Sequence, residues 1–464
     1  MTLRLAVVAL GVLTLPGTIA KADPLDVDWA IRAGGGGADK IRGLAVADDG
    51  AIFVAGEFGH PSADLFGEEI ESAGLLDFVV AKLNADGLPL WVATAGGAKI
   101  DRAYGVAPAD DGGCFVTGHF ESAEIDFGNG QVLKNQGEYD AFVVCFDSQG
   151  ECQWAFGCGG GGYDYGHGIH TDHKGGCVVS GAFAATGRFG NTTFVHPKGR
   201  RAFLIHVAAG GDIHWVREAG AAMDAGTMSG HNVSCDADGN VFMAGYQRGG
   251  AEFSETISLP GSKIQDVYVA RYNLRGDAQW AIGTGGKADG LATSVAPDGS
   301  GGCYIGGMFE GEISFAGKSV RPEGGHDVYV ARIDEHGKGV WLHQSGGAGT
   351  DYGLGMTIAG DGSEGCLMTG EFSEKVTIRG KGSKRGTEVK GEKDAFVASY
   401  GKDGELCFVE LFGGVENDLS YAIGAGREGT VVISGAFRNQ TKMGQVELKS
   451  RKVNDIFVTR LKKK

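Results

Sequence analysis

Asp266–Arg271 reads DVYVAR, and Asp327–Arg332 reads DVYVAR again. The two copies start 61 residues apart. An identical phrase at that distance points to a supersecondary unit used more than once, so the chain is tested first for internal repetition. The phrase itself reads as a strand. Its Val and Tyr alternate between the two faces of a sheet, its Asp is placed to cap the preceding loop, and its Arg is expected to point outward.

The surrounding sequence repeats too. Related phrases are DFVVAKL at Asp77, DAFVVCF at Asp140, DAFVASY at Asp394 and DIFVTRL at Asp455, while RAFLIHV puts Arg201 where the others have Asp. All six tryptophans fall in one phrase, at Trp29, Trp91, Trp154, Trp215, Trp280 and Trp341, and Phe408 stands in a seventh copy. Small-residue loops follow these aromatics, and an Asp comes nine or ten residues after each: Asp39, Asp101, Asp164, Asp224, Asp289, Asp351 and Asp418. A G-x-F phrase follows, as at Gly56–Phe58 and Gly118–Phe120, with GYQ at Gly245–Gln247 in the fourth copy.

Each period of about 63 residues holds four short runs rich in Val, Ile, Phe and Tyr, bounded by DDG, NADG or DSQG turn signals. They are strands A (GLAVADD), B (AIFVAGEF), C (DFVVAKL) and D (LPLWVATA), with room for a small hairpin between B and C. No segment after the leader keeps a 3.6-residue apolar period. The expected fold is all-β, a seven-bladed β-propeller with four-stranded blades. The first repeat begins with strand D (VDWAIRAG) and the last stops after strand C (DIFVTRL). Pairing these ends would close the ring, with the repeats starting near 29, 91, 154, 215, 280, 341 and 408 in one domain over 23–464.

The G-x-F, D-x-[FY]-V-A and Trp phrases resemble the SBBP repeats, a bacterial seven-bladed β-propeller family. The resemblance runs from Trp29 to Leu461. It implies the fold and says little of activity, because fold does not determine function.

Residues 1–22 read as a cleavable signal peptide: the basic MTLR, the apolar LAVVALGVLTL and the A-x-A site Ala20-Lys21-Ala22. A secreted or periplasmic protein without a membrane span is expected. The formal net charge is −16, and cleavage would remove the positive Arg4 and Lys21. Such a chain is a poor partner for nucleic acid. Gly is abundant at 84 residues and Pro scarce at 9, which fits tight turns between strands.

Most repeated residues have structural readings. The Asp columns should accept backbone N–H bonds in their loops. The Trp column should pack between blades. Cys114, Cys177, Cys303 and Cys366 share a column with Ile52, Val241 and Val431 and are expected in the core. Cys145 and Cys152 flank the DSQG turn and are candidates for a disulfide across facing strands. No nucleophile, dinucleotide or phosphate-loop motif is present, and the His167, His170, His173 spacing suits no single metal on a strand. No catalytic residue, cofactor or metal is assigned.

Individual function should lie where the repeats disagree. Three residues past the Asp column stand Arg42, Tyr104, His167, Thr227, Ala292, Leu354 and Tyr421. Of these, Arg42, Tyr104, His167, Thr227 and Tyr421 form the candidate ligand face at the channel mouth. The longest B-to-C insert, RGKGSKRGTEVKGEK, offers Arg379, Lys381, Lys384 and Arg385 as a candidate basic docking loop. The expectation is a secreted, monomeric, non-catalytic binding scaffold with a protein or polysaccharide partner. The alternatives are a polysaccharide lyase or hydrolase, or a lectin, using the same face.

Overall fold

The computed structural model describes residues 25–463 except 221–225, 316, 359–364 and 427–428. The expected signal peptide and Asp224 lie outside the described residues. The protein is all-β, with no α-helix among the described residues. No helix among the described residues is long and apolar enough to cross a membrane.

The repeat phrase builds antiparallel meanders of four strands. The first comprises Lys40–Val46, Ile52–Gly59, Leu76–Leu83 and Pro89–Ala95, hydrogen-bonded in that order. Later units repeat the pattern, and strands B and C are joined each time by a hairpin, either separate (Ser62–Leu65 with Glu68–Glu71) or continuous with B and C (Cys366–Gly380 with Ser383–Tyr400). The seventh unit takes its fourth strand from the other end of the chain. Leu25–Gly35 pairs antiparallel with Val446–Lys463, matching Ile31 to Val458 and Ala33 to Ile456.

The strands are apolar on both faces because both faces are covered by another unit. Val267 and Val269 of the first DVYVAR join Ile305, Phe309 and Tyr329 of the fifth unit, whereas Tyr268, Ala270 and Tyr272 join Leu204 and Ala219 of the third. In the second copy Val328 and Val330 face the sixth unit and Tyr329 the fourth. The buried apolar residues form clusters shared by neighbouring units, including one in which Ile41 and Val54 of the first unit meet Ile456 and Val458 of the seventh. The A strands also touch in sequence: Lys40–Val46 meets Asp101–Pro108, and so on to Asp418–Ala425, which meets Lys40–Val46.

The tryptophans bond across these junctions. Each indole N–H donates to a carbonyl in the C-to-D turn of the next unit: Trp91 to Ser148 (3.1 Å), Trp154 to Ala209 (2.8 Å), Trp215 to Leu274 (3.0 Å), Trp280 to Glu335 (3.0 Å), Trp341 to Lys402 (2.9 Å) and Trp29 to Ala85 (3.2 Å). The arginine of DVYVAR does not point outward. Arg271 donates to the Glu335 carbonyl at 2.8 Å, the same acceptor as Trp280, and Arg332 and Arg460 likewise share the Lys402 and Ala85 carbonyls with Trp341 and Trp29. Phe408 sits where the next unit has no C-to-D turn, because its C and D strands are the two ends of the chain. Among the described residues no turn carbonyl stands there to receive an indole N–H, and the column carries an apolar ring that clusters with Leu25.

The Asp columns have the expected local role with one exception. Asp39 accepts from the Gly35 and Gly59 N–H groups (2.7 and 2.9 Å), Asp164 from Gly160 and Ala184 (both 2.8 Å), and Asp351 from Gly347 and Ser373 (3.0 and 2.7 Å). Asp289 is exposed and stands outside this column. Arg201 places its guanidinium beside Gly220, a loop position that Asp140 and Asp327 approach in their own units at Gly159 and Gly346.

Cys114, Cys177, Cys303 and Cys366 are fully buried, as their column requires. The Cys145–Cys152 disulfide is corrected. A register shift in the hairpin sets Cys152 opposite Phe146 and Cys145 opposite Trp154. The two thiols therefore enter different apolar clusters on opposite faces of the sheet, and both are free.

Candidate functional site

Every A strand carries one extra residue. The pairing of A with B shifts between Ile41 and Gly43, Ala103 and Gly105, Gly166 and Gly168, Gly230 and Asn232, Ala292 and Ser294, Gly353 and Gly355, and Ser420 and Ala422. The bulged residues are therefore Arg42, Tyr104, His167, His231, Thr293, Leu354 and Tyr421. A bulge frees its residue from the ladder and re-aims its side chain. Opposite each bulge sits the glycine of G-x-F, where a β-carbon would overlap a carbonyl of the A strand; at Gly56 that carbonyl belongs to Lys40.

Five of these side chains make a continuous row. The Arg42 guanidinium lies 5.7 Å from the centre of the Tyr421 ring and 5.2 Å from that of Tyr104. Tyr104 meets His167 edge-on at 5.0 Å, and His167 stacks on His231 at 4.4 Å. On the far side Thr293 donates to the Gly353 carbonyl at 2.7 Å. Four residues of the expected ligand face, Arg42, Tyr104, His167 and Tyr421, thus come together. Thr227 does not join them. It pairs with Arg248 at the start of its strand, and His231 occupies the bulge. Ala292 is buried, and its neighbour Thr293 takes the place. The error arose from counting from the Asp column: the connection before the fourth unit's A strand is longer than the others, and in the fifth unit Asp289 stands one residue before the column while the spacing from Trp280 to the bulge is the ordinary one. Counting back from the apolar residue after the bulge (Leu44, Val106, Ile169, Val233, Val295, Met356, Ile423) would have found both.

A second tier of side chains supports the row. Glu57, 2% exposed, accepts both Nε and Nη2 of Arg42 at 2.8 Å. His119, also 2% exposed, packs against Tyr104 (5.4 Å), Tyr139 (5.0 Å) and Tyr165 (5.2 Å). Arg200 lies over the Tyr165 ring at 5.3 Å. Glu57 and His119 are the central residues of G-x-F in their units, and Tyr139, Tyr165 and Arg200 lie beside them because strands A, B and C bring them to one end of units one to three.

Burial controls the charge state. Burial first, then Arg102 and Arg42, pushes the His119 pKa down to about 3. Burial and Arg200 push His231 down to about 4, and burial, His231 and His119 hold His167 well below the ordinary value. The histidines are therefore neutral at neutral pH, which permits the close His167–His231 stack. Burial raises Tyr421 to about 12, keeping the phenol protonated. The arrangement is rich in donors and ring faces. Its nearby carboxylates are held by cations, Glu57 by Arg42 and Glu371 by Lys393. No group of three or more His, Cys, Asp or Glu among the described residues is placed to hold a metal.

The basic insert forms the tip of the Cys366–Gly380 and Ser383–Tyr400 hairpin. Arg379 is engaged at its base, donating to Gln344 at 2.8 Å and pairing with Glu323, whereas Lys381, Lys384 and Arg385 are exposed.

No family model matches the chain. It is 30% identical over 139 residues to the regulatory protein FlaEY of Caulobacter vibrioides, a match covering 29% of this chain and only 14% of that protein. Among solved structures it is similar to a puromycin hydrolase (14% identity, 89% of this chain and 54% of that one, TM-score 0.43). It is also similar to the Vibrio cholerae biofilm matrix protein Bap1 (10% identity, 91% of each chain, TM-score 0.21).

Proposed function

We propose that the seven meanders are the blades of a seven-bladed β-propeller of the SBBP-repeat kind, exported and used as a non-catalytic binding scaffold. The cyclic contacts of the A strands, the core clusters shared by successive units and the pairing of Leu25–Gly35 with Val446–Lys463 support the architecture. In that architecture the bulge row lines the channel mouth. The observation that carries the function is the continuous Tyr421–Arg42–Tyr104–His167–His231 row. The strand phrases recur from blade to blade, yet at the bulge no single residue type is kept and five types appear in seven blades, the pattern expected of one binding face shared by several blades.

A lectin with an equivalent pocket in each blade would repeat its ligand set, and this row does not repeat. A glycoside hydrolase canonically works with a pair of carboxyl groups, one of them a proton donor, and Glu57 and Glu371 are engaged with cations. Arrays of glycans and envelope proteins, probed with the wild type and with Tyr104→Ala/His231→Ala, test the reading. A ligand bound by the wild type and lost by the variant is expected. A ligand bound equally by both overturns the assignment of this face.

A further inference from the structure

Three buried nitrogens at this face have no hydrogen-bond partner among the described residues: Nδ1 of His119, Nε of Arg102 and Nε of Arg200. Arg102 pairs in register with His119, and its Nε stays 3.8 Å from Glu57, beyond hydrogen-bond distance. Arg200 and His119 both lie against the Tyr165 ring, at 5.3 and 5.2 Å. Beyond it the ring surface continues through Tyr139 to Tyr163, which is 43% exposed. Arg102 is ion-paired with Glu57 and Arg200 donates through Nη1 to the Tyr246 hydroxyl at 3.5 Å, yet buried polar groups are normally fully paired, so unsatisfied nitrogens of two guanidinium groups and one neutral imidazole around a single aromatic face mark a place where a group from outside the chain can add partners.

We propose that Arg102, His119, Tyr165 and Arg200, with Tyr139 and Tyr163, bind the carboxylate-bearing sugar rings of an acidic polysaccharide. The inference rests on the bulge row being the ligand face. Guanidinium groups match a carboxylate's geometry and strengthen where water is excluded. A tyrosine face offers a flat apolar surface to the C–H side of a sugar ring, while its hydroxyl stays available to hydroxyl groups. The ring pairs here are tilted or edge-on, with interplanar angles of 33° to 86° among His119, Tyr139, Tyr163 and Tyr165. They leave no parallel slot for a nucleobase. A peptide of acidic residues would engage the arginines and leave the tyrosine surface without a partner. In a chain of net charge −16, donors gathered at one place also locate where a polyanion can dock.

The test is calorimetric titration of the full chain, at fixed low salt, with a mannuronate hexamer, its neutral methyl ester and poly-L-glutamate. The hexamer should bind, and the other two should bind at least about 10-fold more weakly, the scale of a lost charged, bidentate contact. Arg102→Gln and Arg200→Gln should each weaken the hexamer about 10-fold or more, with Arg200→Lys intermediate because it keeps charge without the fork. Arg275→Gln, whose side chain is 83% exposed elsewhere, should bind as the wild type. Circular dichroism and urea unfolding establish that each variant is folded. No binding of the hexamer, equal binding of the methyl ester or poly-glutamate, or unchanged binding by folded Arg102→Gln and Arg200→Gln would each overturn the proposal. If the hexamer fails while an arrayed ligand is lost in Tyr104→Ala/His231→Ala, the ligand class falls and the face stands. If an arrayed ligand ignores that variant, the face itself falls.

Discussion

Gly211→Ala should be more damaging than an alanine at another glycine of the same backbone angle, and the excess should depend on Trp154. Gly211 has φ +89°, and a β-carbon built there would lie 2.9 and 3.0 Å from the Trp154 ring atoms Cδ2 and Cγ. The ring is held in place by its N–H bond to the Ala209 carbonyl at 2.8 Å. Gly128 also has φ +89°, with nothing within 4 Å of its β-carbon position. Gly128→Ala therefore measures the left-handed backbone cost alone, about 1 kcal/mol. Gly211→Ala adds overpacking against a ring that cannot retreat without breaking its bond, about 1–3 kcal/mol more. Trp154→Phe alone loses the indole bond, about 1 kcal/mol net, and some buried surface. In the double variant the smaller ring leaves room for the methyl group, so the cost should fall short of the sum by about 1 kcal/mol or more. Urea unfolding followed by far-ultraviolet circular dichroism gives all four values without depending on tryptophan fluorescence. Equal costs for Gly211→Ala and Gly128→Ala, or an additive double variant, would refute the account of the tryptophan as an inter-unit lock.

Phe408→Trp should not stabilise the protein, because no turn carbonyl among the described residues faces that position; a gain of about 1 kcal/mol or more in urea unfolding would show that an acceptor exists. Deleting Asp26–Ala33 removes the partner of Ile456–Lys462 and bares an edge, so melting temperature should drop sharply and aggregation rise; an unchanged melting temperature would contradict the role given to the N-terminal strand. Stability should also fall as pH rises from 5 to 8. Burial pushes Asp39, Asp140 and Asp351 up to about 6 and Asp164 and Asp418 up to about 7, from an ordinary 3.8. Groups with a raised folded pKa contribute fully below the unfolded value and lose that contribution as pH climbs through the folded one. A urea midpoint that is flat or higher at pH 8 would mean these carboxyls are not held protonated by the fold.

The period was legible because both faces of strands B and C are buried against a similar neighbour. That requirement fixes Val267, Tyr268 and Val269 as firmly as Val328, Tyr329 and Val330. The loop aspartates were legible because glycine-rich connections leave N–H groups needing an acceptor. Two sequence readings failed for a single reason, local register. The shift at Cys145 and Phe146 separates two cysteines that loop counting sets face to face, the longer connection before Thr227 puts the bulge four residues further on, and Asp289 stands one residue before its column, so a count from it stops at Ala292, one short of the bulge. The outward arginine was misread because the sequence shows which strand it ends and not which carbonyl of the next unit awaits it.

The bulge also explains why the candidate site lies where it does. A residue inside a strand of this protein is clamped between two neighbouring units, so its size and polarity are set by packing. The bulged residue has no ladder partner and is exempt from that constraint. Seven such positions recur with the period, and they diverge to Arg, Tyr, His, His, Thr, Leu and Tyr. The divergence is lopsided. The seventh unit and units one to three supply Tyr421, Arg42, Tyr104 and His167, the fourth adds His231, and units five and six supply only Thr293 and Leu354. The unpaired donors fall on the same side, from Arg102 and His119 to Arg200. A ligand read by this face would therefore approach off-centre, across units one to four, and substitutions at Thr293 or Leu354 should disturb its binding least.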